Sequence, residues 1–214
     1  MLKSLLKPIF ALCIVWPVMR LWMGLRIHQH HNLPKQGPAI IVANHNSHMD
    51  VFALMSLYSP LQQRHIHPAA AADYFLSNKW MAWFALNVLN IIPVTRQNSG
   101  QGNPLQGCEE ALRKNKILIL FPEGSRGEPG KMQPLKSGLW YLSAAMPDVP
   151  IIPVWLQGTE QIMAKGNRIP LPLFIDVNIG RPMYYHPDKE QFKAKLLNNL
   201  LALRPQYTKR DSND

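Results

Sequence analysis

The chain has 214 residues, of which 47% are hydrophobic and 17% charged, with six tryptophans. That length fits one compact domain, or one domain with a short appendage, and the apolar content excludes a disordered chain, which buries too little surface to offset the entropy of ordering. Lys and Arg number 23 against 13 Asp and Glu, a net charge of +10, so the expected partner is anionic: nucleic acid, a phosphorylated metabolite or an acidic membrane surface.

From the N-terminus onward the charge is uneven. No acidic residue precedes Asp50, whereas Lys3, Lys7, Arg20, Arg26 and Lys35 are basic. They flank an apolar run at 9–19, followed after Arg20 by Leu21, Trp22 and Met23. Nucleic-acid-binding arms are seldom so apolar, and no recognition motif accompanies the charge, so no nucleic-acid partner is expected. The run is roughly half of the ~20 apolar residues a bilayer span needs, and Pro8 and Pro17 are expected to kink it. The expectation is therefore a membrane-associating helical segment over residues 1–28 that dips into the bilayer. Lys7 and Arg20 would snorkel to the head groups, with Trp16 and Trp22 at the interface. A signal peptide and a buried core helix are the competing readings. No small-x-small cleavage site follows the run, and the residues before Cys13 do not make a lipoprotein site.

Cys13 and Cys108 lie far apart, with no second ligand at metal-binding spacing, and are expected to be two buried, reduced thiols. His28, His30 and His31 have no carboxylate or cysteine beside them in the sequence. They are read as interfacial or solvated rather than as metal ligands.

Beyond residue 38, short β-branched runs alternate with helix-length segments. Strands are expected at 39–43, 91–95, 117–121, 151–155 and 174–179, with a weaker one at 66–71. Helices are expected near 48–58, 79–89, 104–115, 136–146 and 188–203. Residues 97–103 read as a polar, glycine-containing loop. Nearly continuous apolar strands between helices imply an α/β fold: one domain over 29–204, with a mostly buried mixed β-sheet flanked by helices. Residues 205–214 read as a polar tail. The aromatic stretch Trp80, Trp83 and Phe84 is either a second membrane contact or part of a buried helix.

In such folds chemistry collects at the carboxyl ends of the strands. His45 and Asp50 follow the first run, Arg96 the second and Arg126 the third. Imidazole can accept a proton near neutral pH, and a carboxylate on its other nitrogen fixes the tautomer and stabilises the imidazolium. Spacing alone leaves a second reading open, in which Ser47 and Asp50 form a capping box and Asp50 only caps the helix. His48 is a rival base, but one position into the helix it should point away from Asp50. No Gly-x-Ser-x-Gly elbow is present, and neither cysteine occupies a strand-to-helix turn. A base without a protein nucleophile suggests direct activation of a substrate hydroxyl. Arg96 and Arg126 would then hold an anionic group of that substrate, most simply a phosphate; surface ion pairs are the alternative for each.

With these residues in place, the sequence resembles the glycerolipid acyltransferases typified by bacterial 1-acylglycerol-3-phosphate acyltransferase. The resemblance covers roughly residues 25–185, in four ordered blocks. The first is His45-x-x-x-x-Asp50, preceded by Asn44 and containing Ser47. The second is Ile92-Pro-Val-Thr-Arg96. The third, Phe121-Pro-Glu-Gly-Ser-Arg126, is highly specific and is followed by Lys136-Ser-Gly138. The fourth is Val149-Pro-Ile-Ile-Pro-Val154. The resemblance implies His45 as general base with Asp50 as its partner, Arg96 on the acceptor phosphate, and Glu123, Gly124, Ser125 and Arg126 as a phosphate-binding turn. Glu123 would orient Arg126 or bind a substrate hydroxyl. The fourth block would lie along the acyl chain or acceptor.

The implied reaction moves a fatty acyl group from acyl-CoA or acyl carrier protein to a lysophospholipid such as 1-acylglycerol-3-phosphate, in phospholipid biosynthesis, at the cytoplasmic face of the membrane. It implies no metal and no bound cofactor. Asn90 replaces a usual glycine and Thr95 an often acidic residue, which leaves the acceptor head group open. An acyl-thioesterase or lipid hydrolase, and a non-catalytic membrane-binding protein that keeps the fold, are the competing functions.

Overall fold

The computed structural model describes residues 2–75, 77–95, 103–127, 131–159 and 174–205. Its centre is a seven-stranded sheet in the order β1-β7-β6-β2-β5-β3-β4. The strands are β1 (Leu25–His28), β2 (Ala39–Ala43), β3 (Ile66–Ala71), β4 (Ile92–Val94), β5 (Ile117–Leu120), β6 (Ile151–Gln157) and β7 (Ile175–Ile179). All neighbours run parallel except β6 and β7, so the sheet is mixed, as expected. Successive strand residues point to opposite faces. Ile41, Ile119, Ile152 and Val154 enter one apolar core, while Ile40, Val42, Leu118 and Trp155 enter the other. Helices α2 (Met49–Ser56), α3 (Ala72–Phe75), α4 (Lys79–Asn87), α5 (Gln106–Arg113), α6 (Gly138–Ala145) and α7 (Lys189–Ala202) complete the domain. The core beneath α2 is covered by the N-terminal helix, and the opposite core by α5, α6 and α7.

All six expected strands and all five expected helices are present, with ends displaced by a few residues. β1 was not expected. It pairs with β7, from Leu25 opposite Ile175 to His28 opposite Asn178, so the chain enters the sheet inside the stretch assigned above to the membrane helix. Residues 96–102 and 206–214 lie outside the described residues, and with them fall Arg96, most of the 97–103 loop and most of the tail.

The N-terminal segment is helical from Leu2 to Trp22: α1 (Leu2–Phe10), then π-helical turns at Ala11–Val15 and Val18–Trp22 on either side of Pro17. Pro17 has no N–H to offer the preceding turn. The wider turns close instead through Trp16 N–H to Ala11 O and Met23 N–H to Val18 O. They also align the buried face. Lys7, Ala11, Val15, Met19 and Met23 are each at most 2% exposed. An α-helix rotates a four-residue stripe by about 40° per step, whereas π turns, with more residues per turn, reduce that drift.

Lys7 and Cys13 depart from expectation. Lys7 points inward, and its Nζ donates to Ile66 O and, at 2.7 Å, to Leu89 O. Two carbonyls at the sheet's amino-terminal edge replace the head groups that were expected to solvate it, and burial lowers its pKa to about 7. Cys13 is exposed on the outer side of the helix, whereas Cys108 is buried. That outer side carries Leu5, Ile9, Leu12, Ile14, Leu21 and Trp22, all exposed. Phe10 meets Phe84 of α4 edge-on at 5.2 Å, so α4, with exposed Trp80, Met81, Trp83 and Leu86, packs beside this helix. The segment Leu5–Trp22 is long and apolar enough to cross a membrane by length and composition, yet its buried stripe is packed on the domain.

Candidate active site

β2 and β5 are parallel neighbours in level register, Val42 opposite Leu120. Whatever follows them therefore meets at one edge of the sheet. His45 follows β2, and its Nδ1 lies 2.9 Å from Asp50 Oδ2. The same oxygen accepts the main-chain N–H groups of Asn46 and Ser47, both at 2.8 Å. Asp50 is fully buried in the first turn of α2, where the helix dipole favours a carboxylate. One oxygen thus orients the imidazole and also caps the turn through Ser47 N–H, so the reading in which Asp50 only caps does not hold. Ser47 Oγ accepts Met49 N–H at 3.2 Å instead of the Asp50 amide that a capping box requires. The carboxylate can only accept, so Nδ1 carries the proton and Nε2 the lone pair. The ring is stacked on Phe121 at 4.0 Å and remains 18% exposed.

The backbone of His45 is fixed as firmly as its ring. Its N–H donates to Glu123 Oε1 at 2.8 Å, and its carbonyl accepts Gly127 N–H at 2.9 Å. Glu123 Oε2 accepts Gln133 N–H at 2.7 Å. Both oxygens of this buried carboxylate are thus on main-chain amides, which gives Glu123 a role in joining the first and third blocks. Burial pushes its pKa up, and the two amide hydrogen bonds oppose that push. On the other side of β2, the Asn44 side chain donates to Leu156 O at 2.9 Å and accepts Leu156 N–H at 2.7 Å. It extends the β2–β6 ladder by one amide. Asn44 and Phe121 were visible in the blocks but carried no assigned role; adjacency to His45 and to the end of β5 was the available signal.

Gly124 has φ +72° in the turn after β5, a conformation that disfavours any side chain. Ser125 and Arg126 are exposed on that turn. The guanidinium of Arg126 donates through Nη1 to His48 Nε2 and lies 5.5 Å over the Tyr74 ring. The Tyr74 hydroxyl is 3.3 Å from the same His48 nitrogen. His48 thus points away from Asp50, as its helix position implied. Its pKa is lowered, first by burial, then by Arg126 and His45, against an upward pull from Asp50. Tyr74 had no sequence signal. The fourth block forms the buried start of β6 and contributes to the core beside β2. Among the described residues, no group of three or more His, Cys, Asp or Glu side chains could hold a metal ion.

A base oriented by a buried carboxylate, beside an exposed arginine turn, can activate a hydroxyl of an anionic molecule. Known proteins resemble the chain in both sequence and fold. The acyltransferase family model matches residues 24–157. A chloroplast 1-acyl-sn-glycerol-3-phosphate acyltransferase of Brassica napus is 28% identical over 163 residues, 70% of this chain and 44% of that protein. The protein of that name from Bacillus subtilis is 29% identical over 175 residues, 80% of this chain and 82% of that one. The chain thus spans less than half the length of the plant relative. The crystal structure of PlsC, the 1-acyl-sn-glycerophosphate acyltransferase of Thermotoga maritima, superposes with a TM-score of 0.70 at 21% identity. That match covers 94% of this chain and 78% of PlsC, and it shows a common fold. With the matched region enclosing the His45–Asp50 pair and the Arg126 turn, the chain belongs to the acyltransferase family.

Proposed function

We propose that the protein is an O-acyltransferase that moves a fatty acyl group from a thioester, acyl-CoA or acyl carrier protein, to the hydroxyl of a lysophospholipid such as 1-acylglycerol-3-phosphate. The observation that carries this reading is the 2.9 Å contact of His45 Nδ1 with Asp50, which leaves Nε2 as the proton acceptor. His45 Nε2 takes the hydroxyl proton as the oxygen attacks the thioester carbonyl. The C–S bond then breaks, and the departing thiolate takes the proton from the imidazolium, so the base is restored. Asp50 stabilises the imidazolium between these steps. Arg126, with Arg96, holds the acceptor phosphate, which lowers the entropic cost of alignment. Ser125 and the Gly124 turn bring the main chain close to that phosphate. The chemistry needs no metal and no bound cofactor.

Acceptor and product are lipids, and the exposed apolar residues of the N-terminal helix and the neighbouring α4 suit the headgroup region of a bilayer. The working surface is the cytoplasmic one, where acyl thioesters are made, and the product enters phospholipid biosynthesis. Purified protein offered a matrix of acyl-CoA and acyl carrier protein donors with lysophospholipid acceptors, read by mass spectrometry, tests the reading. Diacylated product from wild type and none from His45→Ala is the expected result. Free fatty acid as the main product would assign the site to hydrolysis instead.

A further inference from the structure

The geometry points to His48 and Tyr74 as positioning residues that aim Arg126 and so set the preference for a phosphorylated acceptor; this rests on the acyl-transfer reading above. The three residues come from separate segments. His48 stands at the start of α2 after β2, Tyr74 lies in α3 after β3, and Arg126 follows β5. β2, β5 and β3 are successive neighbours in the sheet, so their carboxyl ends bring the three side chains together. An exposed arginine has several freely rotating bonds, and ordering it costs entropy each time an anion binds. Here it is ordered beforehand. His48 Nε2 accepts from Nη1, and the face of Tyr74 lies 5.5 Å from the guanidinium carbon.

Both contacts use neutral groups. An imidazole that accepts from arginine must keep its lone pair at Nε2, and the downward shift of the His48 pKa agrees with that form. The guanidinium is therefore aimed without being neutralised, and its remaining N–H groups can meet a phosphate. A carboxylate in place of His48 would hold the arginine more tightly and cancel the charge the acceptor needs. Tyr74 is itself held in place: the Ser77 hydroxyl donates to its carbonyl at 3.2 Å, just before Asn78 caps α4. The residue that backs Arg126 thus sits on the segment that leads into the exposed Trp80 and Trp83.

The test compares kcat/KM for a lysophospholipid phosphate with that for the matching neutral monoacylglycerol, in wild type, His48→Ala, His48→Gln, Tyr74→Ala and Tyr74→Phe. His48→Ala and Tyr74→Ala should each lower the phosphate-over-neutral ratio about tenfold, mainly through KM for the phosphorylated acceptor. His48→Gln restores an acceptor atom and Tyr74→Phe restores the ring, so each should recover most of the ratio. Binding of the phosphorylated lysolipid to His45→Ala protein, by calorimetry, provides a readout independent of turnover. Adding His48→Ala to it should weaken binding by a similar factor. An unchanged ratio, equal losses on both acceptors, or no rescue by Gln and Phe would overturn the inference while leaving acyl transfer standing. Absence of transfer by wild type to any acceptor would overturn both. Should an alanine variant fail to fold, His48→Leu or Tyr74→Leu takes its place: a tenfold lower ratio that Gln or Phe restores supports the inference, and a ratio near wild type in the leucine variant defeats it.

Discussion

The main-chain N–H of His45 donates to Glu123 Oε1 at 2.8 Å, so the histidine proposed as the base is held in place by the third block as well as by its own Asp50. The other oxygen of the same carboxylate accepts Gln133 N–H. Two loops that leave adjacent strands are thereby fixed to each other through one buried side chain. A general base works only if its nitrogen meets the substrate hydroxyl at hydrogen-bond distance, and small displacements are costly.

Glu123→Gln tests this tie. An amide offers one oxygen, so its NH2 group must face the N–H of either His45 or Gln133, and one buried donor loses its partner. The expected cost is about 1–3 kcal/mol in stability. Either loss loosens the tie between the two loops that holds His45, so kcat should fall by at least about tenfold. Thermal unfolding and steady-state kinetics of the same preparation check both. Wild-type kcat in Glu123→Gln would remove this carboxylate from the positioning of the base.

Asp50→Asn tests the tautomer. One Asp50 oxygen meets His45 Nδ1 and the Asn46 and Ser47 amides together, so asparagine must put either its oxygen or its NH2 group there. With the oxygen, the imidazolium loses its countercharge; with the NH2 group, the proton is turned to Nε2. The ring would then present an N–H where the lone pair is needed. A loss of roughly 10³–10⁴ in kcat is expected, with KM for the acceptor changed little, following the corresponding substitution in serine-protease triads. An equal loss in kcat/KM arising only from KM would place Asp50 outside the acid–base step.

Several of these relationships are legible in the sequence, and the reason is separation along the chain. His45 and Asp50 lie within one strand-to-helix turn, so spacing offers their pairing as one of two readings. The strands carried dense β-branched runs, which is why six of them were expected. β1 offered only Leu25 and Ile27 between polar neighbours, and its pairing partner β7 lies at the other end of the chain. Tyr74 reaches Arg126 only because β3 is the sheet neighbour of β5. Lys7 misled for the same reason. Basic residues beside an apolar run usually reach for water or head groups, and nothing near Lys7 in sequence announces the carbonyls of Ile66 and Leu89.

The buried lysine should leave a mark on stability as pH changes. Its pKa falls from an ordinary 10.5 to about 7, so between those values the unfolded chain binds a proton that the folded one does not. Stability therefore rises with pH across that window. His67 acts the same way lower down: burial, then Lys7, lowers it from 6.5 to about 4, so stability falls as pH drops from 6.5 towards 4. Lys7→Met should remove the upper part of the slope and leave the lower part, reduced by the share of the His67 shift that Lys7 causes. Thermal unfolding in detergent from pH 5 to 9 reads both; parallel curves for wild type and Lys7→Met would show that the lysine does not titrate in this range.

Ile14 and Val15 are neighbours with opposite surroundings, which separates the proposed membrane contact of the N-terminal helix from its structural role. Ile14 is 51% exposed on the apolar outer side, and Val15 lies 2% exposed against the sheet core. Ile14→Glu places a charge where the headgroup region would be. It should weaken flotation with anionic vesicles, and the unfolding temperature should hold, because the side chain remains in water in the free protein. Val15→Glu buries an unpaired carboxylate and should cost about 3–5 kcal/mol or prevent folding. The tryptophans of the neighbouring α4 supply an optical readout, since Trp80 and Trp83 are exposed and their emission should shift to the blue on vesicle binding. Ile14→Glu should reduce that shift in proportion to the loss of flotation. Undiminished vesicle binding by Ile14→Glu, with an unshifted tryptophan spectrum in wild type, would mean that this side of the molecule does not meet the bilayer.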